Sequence, residues 1–147
     1  MLRNGRTITE FWVAEWASAD LAHLPVKVGE PSAQCFLEML ALFLCLVIWG
    51  DWFTAESLQA VGDNVGALNS ALKLKGSGPL LAVAREIAWR QARRRWSWVA
   101  GHIATEANRV PDALSRLADP APAPFPAKAL ATARQVACPA IASLWKL

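Results

Sequence analysis

From Ala33 to Trp49 the chain is apolar at nearly every position, and Glu38 is the only charge in that stretch. Such a pattern predicts a helix that is sandwiched between other elements rather than laid on a surface. Residues 38, 42, 45 and 49 share one face of it, with Glu38 in the N-terminal half. Gly29-Glu-Pro-Ser32 is the break before this helix, and Ser32 is the predicted N-cap. The uninterrupted apolar run, Met39 to Trp49, is bounded by Glu38 on one side and Gly50-Asp51 on the other. A membrane span needs about 20 apolar residues. The run is therefore read as a core helix, with no membrane partner.

The remaining elements follow from period and punctuation. Asn4-Gly5 is a hairpin turn signal, because both central residues of that turn adopt positive φ. Arg6 to Trp16 is rich in β-branched and aromatic residues and predicts a strand. Only Met1, Leu2 and Arg3 precede the turn, so the first strand reads as largely missing. Ser18-Ala-Asp-Leu is a turn or helix start, and Pro25 to Val28 a third short strand. Ser57 to Val61 predicts a buried strand with Gly62-Asp63-Asn64 at its end. Val65 to Leu74 predicts a helix ending at Lys75-Gly-Ser-Gly78. Pro79 starts another, to about Arg93, with Leu80, Val83, Ala84 and Ile87 at helical spacing. Arg94 to Gly101 alternates as a strand, with Trp96, Trp98 and Ala100 on one side. A loop carrying His102 follows, then a last helix from about Val110 to Ala118. Alternation after an opening hairpin predicts an α/β fold, a mixed sheet flanked by helices.

Length and composition fit one domain with a tail: 147 residues, 54% of them hydrophobic. The domain is read as residues 1–118, followed by an extended proline-rich linker at 119–127 and a tail at 128–147 with a short helix at Lys128 to Val136. Cys35, Cys45 and Cys138 are odd in number and suit no zinc knuckle. They read as reduced thiols of a cytoplasmic or nuclear protein. Met1-Leu2-Arg3 leads straight into polar residues, so no signal peptide is expected. The net charge of +3 and pI near 9.0 are compatible with a nucleic-acid partner without requiring one.

The candidate chemistry lies in three carboxylates from three separate elements. Glu38, Asp63 and Asp112 are hard oxygen donors of the kind that hold magnesium, and two such ions can activate a water against a phosphodiester. Each also has a purely structural explanation. Glu38 can pair with an arginine, Asp63-Asn64 can cap a helix, and Asp112 suits the positive end of a helix's first turn. His102, in a polar loop after Gly101, is suited to acid–base work or product release rather than metal ligation. His23 reads as a surface histidine. Arg85, Arg90, Arg93, Arg94 and Arg95, interleaved with Trp89, Trp96 and Trp98, can hold phosphates or simply complement a helix C-terminus.

The stretch His102-Ile-Ala-Thr-Glu-Ala-Asn108-Arg-Val-Pro-Asp112-Ala-Leu-Ser-Arg116, together with Gly62-Asp63-Asn64 and with Glu38 in its helix, resembles the ribonuclease H domain of retroelement reverse transcriptases. The likeness covers about residues 4 to 118. It implies a five-stranded mixed sheet and a two-metal magnesium site with Glu38, Asp63 and Asp112 as second, third and fourth acids. It also implies His102 as an auxiliary catalytic residue, and Asn64, Arg93, Arg94, Arg95 and Asn108 as contacts to an RNA–DNA hybrid. The polymerase domain of a parent polyprotein would be the protein partner. Pro111 departs from the alanine more usual there, tolerably so in a first helical turn. The first acid of the set, expected on the strand before the hairpin, has no counterpart; Glu10 and Glu15 lie on the following strand. The resemblance therefore implies impaired hydrolysis. The two other readings are an inactive nucleic-acid-binding remnant of the same fold and a small membrane-associated protein anchored by residues 35 to 49.

Overall fold

The computed structural model describes residues 1–4, 7–15, 26–27, 30–53 and 57–140. The chain is mixed α/β and divides into two compact units. One is continuous, Ser18–Ile103; the other joins Met1–Ala17 to Ala104–Leu147.

The continuous unit is organised by helix α1, Pro31–Trp49. Pro31 opens it, since a proline's missing N–H falls where the helix has no internal acceptor. Glu30 is the N-cap, in extended backbone and without a side-chain cap bond. Ser32 therefore lies inside the first turn and is not the cap: the proline fixed the start two residues earlier than expected. Ala33, Phe36, Met39, Leu40, Phe43 and Leu44 form one fully buried face. The flanking positions Leu37, Leu42, Leu46, Val47 and Ile48 are only half-buried, so α1 is less enclosed than its pattern predicts. The window Ala33–Trp52, with mean hydropathy 2.0, is long and apolar enough to cross a membrane by length and composition, and half of it is buried within the fold. Length and composition alone therefore do not distinguish a core helix from a membrane span here.

Strand β3, Ser57–Gly62, is followed by α2, Val65–Lys73, then α3, Pro79–Arg94, then β4, Ser97–His102. Helix α1 packs against α2 and α3, and α2 packs against both strands. Ala67, Leu68 and Ala71 of α2 and Val83, Ala84 and Ile87 of α3 fill the core. The strands pair in parallel and in register from Ser57↔Ser97 to Gly62↔His102. Trp96 and Trp98 are buried and Ser97 and Val99 exposed, as the alternation predicts.

Helix α2 ends on a left-handed residue, with Lys75 N–H reaching the Ser70 carbonyl at 3.0 Å. That residue is Leu74, φ 52°, and not one of the glycines two and four positions on. Gly78, φ 54°, supplies the conformation that turns the chain into α3. Trp96 packs closely on Gly50, where a Cβ would stand 2.5 Å from Trp96 Cζ2. Trp96 Nε1 donates to the Phe53 carbonyl, and Arg94 pairs with Asp51.

The discontinuous unit carries a three-stranded sheet. Strand β1, Leu2–Asn4, pairs antiparallel with β2, Thr7–Phe11, with a bulge between Leu2 and Arg3. Asn4 pairs with Thr7 and so ends the strand; the remaining turn positions, 5 and 6, lie outside the described residues. Strand β2 stops at Phe11, well short of Trp16, which is also outside them. Helix α4, Arg109–Ser115, is followed by the proline-rich stretch, which carries no helix through Pro126. The expected helix at 128–136 is instead a single turn, α5, Ala127–Leu130, and a short strand, β5, Arg134–Gln135. Strand β5 adds in parallel to β2, with Glu10↔Arg134 and Phe11↔Gln135 in register. An open strand edge explains the change: backbone groups of β2 that a helix would leave unpaired are satisfied, Val136 N–H to the Phe11 carbonyl at 2.8 Å among them. Ile8, Phe11, Leu114 and Leu130 form this unit's core. Phe125 leans on Phe11, ring centroids 6.3 Å apart.

The α/β class is as the pattern predicts, but the strands form two separate sheets rather than one. Val26 and Lys27, from the expected third strand, are not extended strand, while Pro25 and Val28, like the Ser18–Leu21 turn and His23, lie outside the described residues.

Candidate functional site

The best-defined cluster lies at the carboxyl ends of β3 and β4. Parallel register sets Gly62 opposite His102, and Ile103 N–H continues the ladder to the Gly62 carbonyl at 3.0 Å. Asp63 follows at once, half-buried, where the backbone leaves the strand. The N-cap of α2 is Asn64, not Asp63: Asn64 Oδ1 accepts from Ala67 N–H at 2.9 Å. The asparagine thus does the capping that could have accounted for the aspartate. His102, the last residue of β4, is exposed. In open α/β sheets, the carboxyl ends of parallel strands are where ligands bind, because loops and helix N-termini converge there.

Glu38 belongs to the same unit. It is half-buried on α1 and accepts from Gln34 Nε2 at 2.8 Å, one turn earlier. Its neighbour on that face is Cys35, whose thiol pKa is pushed up by burial and, secondarily, by the Glu38 charge. Cys35 Sγ stands 3.4 Å from where a Cβ on Gly66 would be, and Asn64 Oδ1 stands 3.2 Å from the same point. Cys35, one turn before Glu38 on α1, therefore lies against the first turn of α2. Gly66 is what allows the two helices to approach there.

Asp112 belongs to the other unit. It sits half-buried in the first turn of α4, with its N–H on the Asn108 carbonyl at 3.1 Å and its carboxylate paired with Arg116 Nε at 3.0 Å. Asn108 is the N-cap residue but makes no side-chain cap bond.

The structure separates the arginines. Arg94 is committed to Asp51. Arg90 lies over the Phe43 ring, 5.4 Å from its centroid, with Nε buried. Arg95 holds the left-handed cap of α3, φ 58°, and is exposed. Arg93 lies 5.1 Å over the exposed Trp89 ring. Two further features were not legible as sequence signals. Glu10, buried on β2, is held by Arg134 of β5 through Nε at 2.9 Å and through Nη2. Trp89 is the exposed tryptophan of the interleaved set, whereas Trp96 and Trp98 are core.

Magnesium needs several carboxylate or water oxygens around it. Among the described residues no three His, Cys, Asp or Glu side chains are grouped to hold a metal ion. The donor chemistry of Glu38 and Asp63 is right for magnesium, but the residues do not make up a complete site, and no reaction step is derived through one. Compared with models of known families, with curated proteins and with solved structures, the chain matches none.

Proposed function

We propose that this chain is a ribonuclease H-like domain of a retroelement reverse transcriptase, engaging RNA–DNA hybrids with impaired hydrolysis of the RNA strand. It would work inside the cell, beside the polymerase domain of a parent polyprotein. The observation that carries this reading is the pairing of Gly62 with His102, which sets Asp63 and His102 at one end of a parallel strand pair. The Glu38-bearing helix running past the start of α2 supports it. Asp112 in the first turn of α4, within the motif quoted above, is the third acid the resemblance calls for.

The impaired hydrolysis is part of the same proposal and concerns the described residues alone. The resemblance calls for a fourth acid on the first strand, and Leu2-Arg3-Asn4 supplies none. Glu10 on β2 is no substitute, being buried and bound by Arg134. His102, exposed at the strand end, takes the auxiliary role that the resemblance implies.

The test is a labelled RNA–DNA hybrid incubated with the purified chain in magnesium. Binding that weakens as salt rises, with slow RNA cleavage abolished by Glu38→Gln or Asp63→Asn, supports the proposal. Absence of hybrid binding, or cleavage that survives both substitutions, overturns it. Binding with no cleavage at all selects the inactive remnant. A second reading, membrane association through α1, is favoured by the length and apolarity of Ala33–Trp52. Sedimentation of the expressed chain with membranes under high salt would select it.

A further inference from the structure

We propose that the outer face of α3 is a binding stripe for single-stranded nucleic acid, with Trp89 stacking an unpaired base and Arg85 and Arg93 holding the phosphates on either side. This rests on the nucleic-acid reading above and assigns that reading a second surface, on a different element from Asp63 and His102.

Three observations carry it. First, charge is concentrated there: Pro79 to Arg95 contains five arginines and one glutamate, against a chain total of +3. The rest of the molecule is close to neutral, so this segment dominates the attraction for a polyanion. Second, the structure sorts that cluster by availability. Trp96 and Trp98 are buried, Arg94 is paired with Asp51, and Arg90 is packed over Phe43. What remains exposed is Arg85, Trp89 and Arg93 on α3, with Arg95 just past its end; Trp89 is 54% exposed, and the Arg93 guanidinium lies over one face of its ring, so a base takes the other face or displaces it. Third, the three on α3 are spaced i, i+4, i+8 and form one line along the helix, covering about 12 Å. An exposed indole costs free energy in water, and here the guanidinium of Arg93 lies over its ring.

The chemistry selects the partner. A π face flanked by two cations at one-turn spacing matches a base between two phosphates. In a duplex the base faces are stacked on each other and closed to an inserted indole. In a single strand they are open, and stacking is tolerant of sequence because every base has a π face. The predicted ligand is therefore an unpaired DNA or RNA strand, such as the overhang beside a hybrid, bound without base preference.

Fluorescence anisotropy of a labelled oligothymidylate measures the stripe, and a blunt RNA–DNA hybrid is measured in parallel. Trp89→Ala is expected to weaken oligothymidylate binding about five- to one-hundred-fold, while Trp89→Phe, which keeps a π face, retains most of it. The Arg85→Gln, Arg93→Gln double variant is expected to lower the salt slope by about 1.4. All positions are exposed, and the circular dichroism spectrum of each variant should match the parent. Oligothymidylate binding unchanged by Trp89→Ala, or lost equally in Trp89→Phe, overturns the stripe. Failure of the parent chain to bind the blunt hybrid, with oligothymidylate binding still dependent on Trp89, removes the ribonuclease H-like reading and leaves the stripe standing. Equal effects of Trp89→Ala on hybrid and single strand also overturn the assignment, since the site would then read the duplex.

Discussion

Glu10 and Arg134 are 124 positions apart, yet the guanidinium closes over a carboxylate that is almost wholly buried. The arginine itself is largely exposed. Most of the desolvation therefore falls on Glu10, and Arg134 is what makes its burial tolerable.

Replacing Arg134 with Met should destabilise the chain by about 1–3 kcal/mol, because the buried carboxylate would lose its charged donors. Glu10→Gln, which removes the charge but keeps an acceptor, should cost less. Urea unfolding of the two variants gives the ranking. A larger loss for Glu10→Gln would mean that the pair is not held as described.

Gly50→Ala should be destabilising although alanine is the better helix former. A Cβ there would stand 2.5 Å from the Trp96 ring, which is itself anchored through Nε1 to the Phe53 carbonyl. The ring would have to move, at about 1–3 kcal/mol. Thermal unfolding followed by tryptophan fluorescence should show a lower midpoint. An unchanged midpoint would remove the close approach.

Arg95 and Leu74 hold left-handed backbone at the ends of α3 and α2. An L residue there costs roughly 1 kcal/mol relative to glycine. Arg95→Gly should therefore raise the unfolding midpoint even though it removes a cation. The same variant should weaken hybrid binding modestly if Arg95 contacts phosphate. A lower midpoint would show that the side chain contributes more than the backbone strain it imposes.

Cys35 reports on Glu38. Burial and then the Glu38 charge both disfavour the thiolate, lifting the thiol above its ordinary value. Glu38→Gln removes one of the two causes, so the thiol pKa should fall and alkylation at pH 8 should speed up, measured with Cys45 and Cys138 replaced by Ser. The sign for stability runs the same way. The fold prefers the protonated thiol, so its contribution is complete below the unfolded-state pKa and declines as pH rises toward the folded one. An alkylation profile untouched by Glu38→Gln would show that the two side chains do not interact.

How much of this was legible in the sequence depended on whether the signal was local. The helix from Val65 and the alternation of Trp96 and Trp98 are periodic, and both were readable. Asp63 at a strand end and Asp112 in a first helical turn were readable too, because strand–turn–helix chemistry is written in neighbouring residues. Strand β5 was not, since Arg134-Gln135 has no period and becomes a strand only by finding the edge of β2. Nor was the partner of Glu10, or the fact that Asn64 rather than Asp63 caps α2. Composition showed arginine mixed with tryptophan; only the packing of α3 told Trp89 from the two core tryptophans.

The segment Ser18–Ile103 is one continuous stretch, whereas the other unit is assembled from segments that flank it in sequence. On a ribosome the continuous unit is therefore complete before Arg134 has been made, and β2 must wait with β1 as a partner but without β5. Strand β2 thus keeps an open edge until Arg134 and Gln135 have been made, and such an edge is where newly made chains can pair with one another.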